Sequence, residues 1–167
     1  MAEYKDNLRK ELAEKTAESA RLAERDRVIE AAAKLITVEI PAKMIEAEKD
    51  AMLHDFDHQL RHQGLSLDQY AKFVGGMDAL RSQMESDALN RIKTGLVIEK
   101  VIEKEGLEVT DADIEAELQS MAEKQKMEID RVRKIFANDG GEYLKNTLKS
   151  RKAVDFLVEH AKFVDPK

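Results

Sequence analysis

The stretch VEIPAKMIEAEKDAMLHDFDHQLRHQG, residues 38–64, decides how the chain folds around it. The stretch starts with β-favouring residues and reaches Pro41. Proline suits the first turn of a helix, because a backbone N–H at that position would have no partner within the helix. No other breaker follows until Gly64, which can end the helix in the left-handed conformation. At about 100° per residue, one face of this helix carries Met52, Phe56 and Leu60. The stretch therefore predicts a long amphipathic helix.

The composition extends this prediction to the whole chain. The 167 residues include only two prolines and seven glycines, while 37% are charged and 5% are aromatic. Alanine, leucine, glutamate, lysine and arginine are abundant, and all of them are good helix formers. We therefore predict an all-α fold with long and largely exposed helices.

Breakers and capping signals divide the chain into segments. We predict a long N-terminal helix over 4–36, helices within about 41–105 and about 110–141, and a closing helix over 142–163. Ser66 and Gln69 have the spacing of a capping box, and Thr110 is a suitable N-cap. The residues from Met77 to Glu105 contain no strong breaker before Gly106, so we predict one continuous helix there.

The charge balance limits the classes of partner. There are 28 Lys and Arg against 34 Asp and Glu, which gives a net charge of −6 at pH 7. An acidic chain gains little from nucleic-acid phosphates or anionic membranes, and we expect neither as a partner. The sequence has no cysteine, and no apolar run reaches the length of a signal peptide or a membrane span. We expect a cytoplasmic protein.

Three of the four histidines lie within HDFDH and the residues after it, at His54, His58 and His62. HDFDH resembles the H-E-x-x-H motif of zinc proteases, with an aspartate one methylene shorter than the glutamate. A catalytic zinc also needs a third protein ligand, and His160 is the only other histidine. Periodicity places the three histidines opposite Met52 and the other apolar residues of the helix. We interpret them as a solvated helix face and expect no physiological metal site, only adventitious binding of nickel or copper in vitro.

No other pattern indicates catalysis. The sequence has no glycine-rich phosphate loop and no nucleophile elbow, and its paired glycines separate predicted helices. Most carboxylates lie three or four residues from a Lys or Arg, which is typical of solvated ion pairs. We therefore predict that this chain is not an enzyme and needs no cofactor.

Six methionines besides the first residue lie on or beside the predicted apolar stripes. Methionine fills irregular gaps in a core, and most of these residues are interpreted in that way. Methionine also suits surfaces that accept many partners, so an exposed groove could bind unfolded chains without sequence preference. Alternatively, the apolar stripes bury against another copy, as in a helical scaffold or dimerisation module. Both hypotheses, including a possible homodimer, stay open.

Several segments together resemble the C-terminal domain of bacterial trigger factor. They are VEIPAKMIEAEKDAMLHDFDHQLRHQGLSLDQY (38–70), IKTGLVIEKVIEKEGLEVTDADIEAEL (92–118), VRKIFANDGG (132–141) and LKNTLKSRKAVDFLVEHAKFVD (144–165). The resemblance implies a single helical chaperone domain over residues 1–167, in which a helical body carries two projecting helical-hairpin arms. The arms, about 41–105 and about 110–141, would form a cradle that binds unfolded or nascent polypeptide without ATP.

The resemblance also implies which residues contact the client, because apolar arm residues do so in the family. For arm one these are Met52, Phe56 and Leu60. For arm two they are Met121, Met127, Val132, Ile135 and Phe136.

The chain departs from the family pattern in two respects. The G-F-R-x-G-x-x-P signature of the ribosome-binding domain and the FKBP-like prolyl isomerase domain are not found, so ribosome docking and isomerase activity are not expected. We expect a natural fragment or an engineered piece of a longer protein. In AEKQKMEIDRV, residues 122–132, Gln125, Lys126 and Ile129 replace the usual Tyr, Gly and Pro. A less sharp bend and the loss of one aromatic client contact are expected there.

Overall fold

A computed structural model describes residues 2–136 and 141–164, and throughout these ranges the regular structure is helical. The eight helices of the described residues are α1 (Ala2–Leu35), α2 (Ala42–His62), α3 (Leu67–Phe73), α4 (Met77–Gln83), α5 (Glu85–Glu105), α6 (Asp111–Gln125), α7 (Ile129–Phe136) and α8 (Glu142–His160). The predicted all-α fold is confirmed. The end of the segment predicted over about 110–141 includes residues 137–140, which lie outside the described ranges.

The helix ends follow from local sequence. After α2, Gly64 adopts a φ of 76°, and the N–H of Leu65 donates to the carbonyl of Leu60 at 2.9 Å. This hydrogen bond satisfies a carbonyl that the helix end would otherwise leave without a partner. The predicted capping box of Ser66 and Gln69 forms at the start of α3. These two signals acted as predicted because each involves only neighbouring residues.

Thr110 caps α6 as predicted, and Asp113 completes a capping box with it. The Asp113 carboxylate accepts the backbone N–H of Thr110 at 2.8 Å, while the Thr110 hydroxyl accepts the N–H of Asp113 at 3.3 Å. Lys152 of α8 donates to the same carboxylate at 2.8 Å and to the carbonyl of Glu108 at 3.0 Å. The start of α6 is therefore fixed both by its own sequence and by a neighbouring helix.

The prediction of one continuous helix from Met77 to Glu105 was wrong, because Met84 separates α4 from α5. Met84 has a ψ of −8°, well away from the helical value near −42°. No proline or glycine marks the position. The Met84 side chain packs against the buried residues Leu53, Ala71 and Leu80. The break coincides with a tertiary contact, which the helix propensity of the local sequence cannot predict.

The predicted bounds of two other helices shift slightly. The helix α2 begins one residue after Pro41, whose carbonyl accepts the N–H of Met44 at 2.9 Å. The last helix, predicted to reach Phe163, ends at His160, because Ala161 is already extended with a ψ of 140°.

The chain divides into two compact units. Unit 1 comprises residues 1–29 and 98–167, and unit 2 comprises residues 30–97. The buried core of unit 1 consists of Val109, Leu118, Ala122, Val132, Leu144 and Leu148. The buried core of unit 2 consists of Leu53, Ala71 and Leu80, with Leu67, Tyr70, Val74, Met77 and Met84 packed against it. That the chain acts as a single domain stays a prediction.

In unit 1, the first helix is only partly covered. Every residue from Leu12 to Glu24 is exposed, and Arg25 forms an ion pair with Asp155 of α8. This pattern agrees with the alanine-rich and charged sequence of this segment, which offers little apolar surface for burial.

One ion-pair network, in which Lys49 and Arg81 share Glu46, joins the helices of unit 2. The Lys49 side chain is buried, and its amine lies 2.9 Å from Glu46 and 3.1 Å from Glu85. The hydrogen bonds that it donates, first to Glu46 and then to Glu85, hold the pKa of the Lys49 amine above its ordinary value. Arg81 binds Glu46 at 2.8 Å and Asp50 at 2.6 Å. A buried charge is tolerated only with such partners, so these pairs fix α2 against α4 and α5.

Among the helices described, none has the length and apolar character that crossing a bilayer requires.

Candidate functional site

An open groove in unit 2 combines apolar and charged side chains. It has a volume of about 340 Å³ and is called the α2–α5 groove here. Its lining residues are Met52, Asp55, Phe56 and Gln59 of α2, Met84 at the break between α4 and α5, and Asp87 and Arg91 of α5.

The floor of the groove is apolar and held by the core beneath it. Met52 and Phe56 lie about one turn apart on α2, and both are half-buried. The Phe56 ring meets Tyr70 of α3 edge to face, with ring centroids 4.9 Å apart and an interplanar angle of 83°. Met84 packs on the buried core of unit 2. The apolar groups are therefore supported from one side and accessible from the other.

The rim of the groove is charged. Nη1 of Arg91 lies 3.4 Å from Oε1 of Glu48 and 3.7 Å from Oδ2 of Asp55. Asp87 and Gln59 complete the rim, and both are exposed. Long side chains such as that of arginine can cover apolar surface while their charged ends stay in water. The groove can thus take up an apolar side chain and keep the flanking backbone hydrated.

The structure brings together two of the three residues predicted for arm one. Met52 and Phe56 line the α2–α5 groove. Leu60 is buried, with 4% of its surface exposed, so it offers no surface to a client in this structure. Helical periodicity puts these residues on one face but does not show which of them the rest of unit 2 covers. Met84 also lines the groove, and nothing in the sequence places it beside Met52.

Four of the five residues predicted for arm two form part of the core of unit 1 or pack against it. Val132 is 2% exposed and forms part of that core, so it is not an accessible contact. Met121, Met127 and Phe136 are half-buried and pack against the same core. Ile135 is 55% exposed. The short helix α7 thus uses its apolar face mainly for burial, which periodicity alone cannot distinguish from client binding.

The three histidines of α2 are exposed, in agreement with the interpretation of a solvated face. The rings of His54 and His58 meet edge to face, with centroids 4.8 Å apart. Over the described ranges, no group of three or more His, Asp or Glu side chains could together hold a metal ion. The absence of a catalytic metal stays a prediction.

The chain is similar to trigger factors over almost its full length. The family model of the bacterial trigger factor C-terminus matches residues 1–159. The trigger factor of Halalkalibacterium halodurans is 41% identical over 164 residues, which is 97% of this chain, and that of Geobacillus kaustophilus is 41% identical over 161 residues, which is 96% of it. The chain spans only 38% and 37% of the length of these two relatives.

Two solved structures have a similar fold. A structure from work on the domains of trigger factor from Thermotoga maritima has a TM-score of 0.64 at 21% identity, covering 84% of this chain and 82% of that one. A second, from work on promiscuous substrate recognition by the trigger factor chaperone, has a TM-score of 0.60 at 22% identity, covering 83% of this chain and 33% of that one. The helical fold and the family match agree, and this chain belongs to the family of bacterial trigger factor C-termini.

Proposed function

We propose that this chain is a chaperone domain that binds unfolded or nascent polypeptides in the cytoplasm without using ATP. Membership of the trigger factor C-terminal family supports the chaperone role. The observation that carries the proposal is the α2–α5 groove, where Met52, Phe56 and Met84 form an apolar floor inside a charged rim. An accessible apolar groove of this kind suits short apolar segments, which a folded protein hides and an unfolded one exposes.

The groove suits weak and unselective binding. A volume of about 340 Å³ accommodates only a few side chains, so one groove buries little client surface. Met52 and Met84 have unbranched, flexible side chains that adapt to clients of different shapes. Tight holding of a client then requires several patches to act together, as in the cradle that the family resemblance implies.

Additional contacts are proposed on the second arm. Ile135 is the most accessible of the five nominated residues, while Met121, Met127 and Phe136 offer half-buried edges. Leu60 and Val132 are not part of the proposal, because both are buried.

Substitution of one groove methionine tests the proposal. Met52→Gln keeps the length of the side chain but replaces an apolar surface by an amide that prefers water. We expect a several-fold higher concentration of the variant to be needed to suppress aggregation of a chemically denatured client, because part of a methionine's apolar contact is lost. Light scattering during dilution of the client from denaturant measures this effect.

Met44→Gln is the matched control. Met44 lies on the same helix, is 44% exposed and does not line the groove. We expect this variant to suppress aggregation as well as the unchanged protein does. Circular dichroism and thermal unfolding establish that both variants are folded. Equal suppression by the Met52 variant and the unchanged protein would contradict the role of the groove.

A further inference from the structure

The three exposed histidines of α2 form a row that the proposed chaperone function does not use. His54, His58 and His62 follow one another at intervals of four residues, on the polar side of the helix. Residues four apart on a helix have Cβ atoms about 5–6 Å apart, so their side chains can reach a common ligand. The His54 and His58 rings are adjacent, with centroids 4.8 Å apart in an edge-to-face arrangement, so side-chain rotation is needed to turn a nitrogen of each ring towards one ion.

Three carboxylates close to this row have arginine partners. Asp55, which lies between His54 and His58 in the sequence, is 3.7 Å from Arg91. Asp50, one turn before His54, accepts a hydrogen bond from Arg81 at 2.6 Å. Asp57, directly before His58, is paired with Arg61 at 2.7 Å. Each of these carboxylates has an arginine partner, and the exposed imidazoles of the row are the candidate ligands for an ion.

We propose that His54 and His58 form a two-point chelate for a late first-row divalent ion such as Ni²⁺, Cu²⁺ or Zn²⁺. Imidazole nitrogen suits these ions, whereas Mg²⁺ and Ca²⁺ require oxygen ligands. Water fills the remaining coordination positions. His58 and His62 form a second pair with the same spacing, and the two pairs share His58. The row therefore binds one ion at a time, in either of two overlapping positions.

This site is a reversible surface chelate and is distinct from a catalytic centre. A catalytic zinc site has three protein ligands and a general base beside the bound water. Two imidazoles on one helix provide neither the third ligand nor an enclosed cavity. Binding would connect two consecutive turns of α2, and an ion that binds only the folded helix raises the thermal midpoint of unfolding.

Titration of the chain with NiCl₂, without an affinity tag, tests the chelate by isothermal calorimetry. We expect about one Ni²⁺ per chain, because the two pairs share His58. His58→Gln disrupts both pairs and should weaken binding at least about tenfold, since the second ligand of a chelate acts at a high effective concentration. His54→Gln and His62→Gln each leave one pair and should have smaller effects.

His160→Gln is the control for histidine content, because His160 lies at the end of α8, far along the chain from the row. It should bind Ni²⁺ as the unchanged protein does. Ni²⁺ binding by the His58 variant at unchanged affinity would overturn the proposal, as would an equal loss in the His160 variant. Met52→Gln should bind Ni²⁺ normally, which separates this inference from the proposed chaperone function.

Discussion

Lys126 adopts a conformation that is unfavourable for its residue type. Its φ of 53° and ψ of 42° lie in the left-handed region, and among the described residues it is the one non-glycine with a positive φ. The N–H of Met127 donates to the carbonyl of Ala122 at 2.9 Å, and the N–H of Lys126 donates to the carbonyl of Glu123 at 3.2 Å, so α6 ends in a Schellman motif. The left-handed turn expected of a glycine thus forms at this lysine as well.

The residue directly after Lys126 provides the physical reason for this turn. Met127 packs against the core of unit 1, which contains Ala122. Burial of this side chain and the two hydrogen bonds compensate for the crowding of a Cβ atom in the left-handed conformation. The sequence led us to expect a less sharp bend because it shows the missing glycine and not the packing that replaces its effect.

Replacement of Lys126 by glycine should stabilise the chain. Lys126→Gly removes the Cβ atom that opposes a positive φ and should raise the free energy of unfolding by about 1 kcal/mol. Urea unfolding followed by circular dichroism measures the change. Lys124→Gly, inside the last turn of the same helix, should instead lower the free energy of unfolding by about 1 kcal/mol. A destabilised Lys126→Gly variant would contradict this account.

At the scale of elements, the carboxylate of Asp113 is one of the groups that join α6 and α8. The hydrogen bond from Lys152, followed by those from the backbone and hydroxyl of Thr110, lowers the pKa of the Asp113 carboxyl from 3.8 to about 2. The folded state therefore binds a proton at Asp113 less readily than the unfolded chain does. The contribution of the Asp113 carboxylate to the stability of the folded state is fully present above about pH 4 and is lost as the pH falls through about 2.

Asp113→Asn should remove this pH dependence. At pH 7 we expect a lower thermal midpoint for the variant than for the unchanged protein, because an amide accepts more weakly from the Lys152 cation. The difference should shrink between pH 4 and pH 2, where the native carboxylate becomes protonated. Thermal unfolding by circular dichroism over this range measures it. The control, Asp111→Asn, alters an exposed acid in the same turn and should retain the pH dependence.

The helix pair α4 and α5 shows the limit of prediction at this scale. The sequence predicts one helix from Met77 to Glu105 and contains no signal for the interruption at Met84. The interruption matters for function, since Met84 contributes to the α2–α5 groove. The interruption coincides with the packing of Met84 on a core that includes Leu53, a residue distant in sequence.

At the scale of the whole molecule, the chaperone and scaffold hypotheses predict different effects of an unfolded client on self-association of the chain. Exposed apolar side chains such as Leu35 and Phe73, which are 85% and 86% exposed, could support self-association in either case. If the chain is a chaperone domain, an unfolded peptide should compete with self-association. Sedimentation velocity over a concentration series, with and without a permanently unfolded peptide, measures this competition. Self-association that is indifferent to the peptide would favour the scaffold.

The sequence by itself determined the helical class, most helix ends and the family. Caps such as Ser66, Thr110 and Gly64 act through hydrogen bonds to residues a few positions away, so their effect is contained in the local sequence. Only the tertiary structure decided which apolar residues stay accessible. Met52 and Leu60 lie on the same face of α2, yet Met52 lines a groove and Leu60 is buried. The difference arises because burial depends on residues distant in the chain.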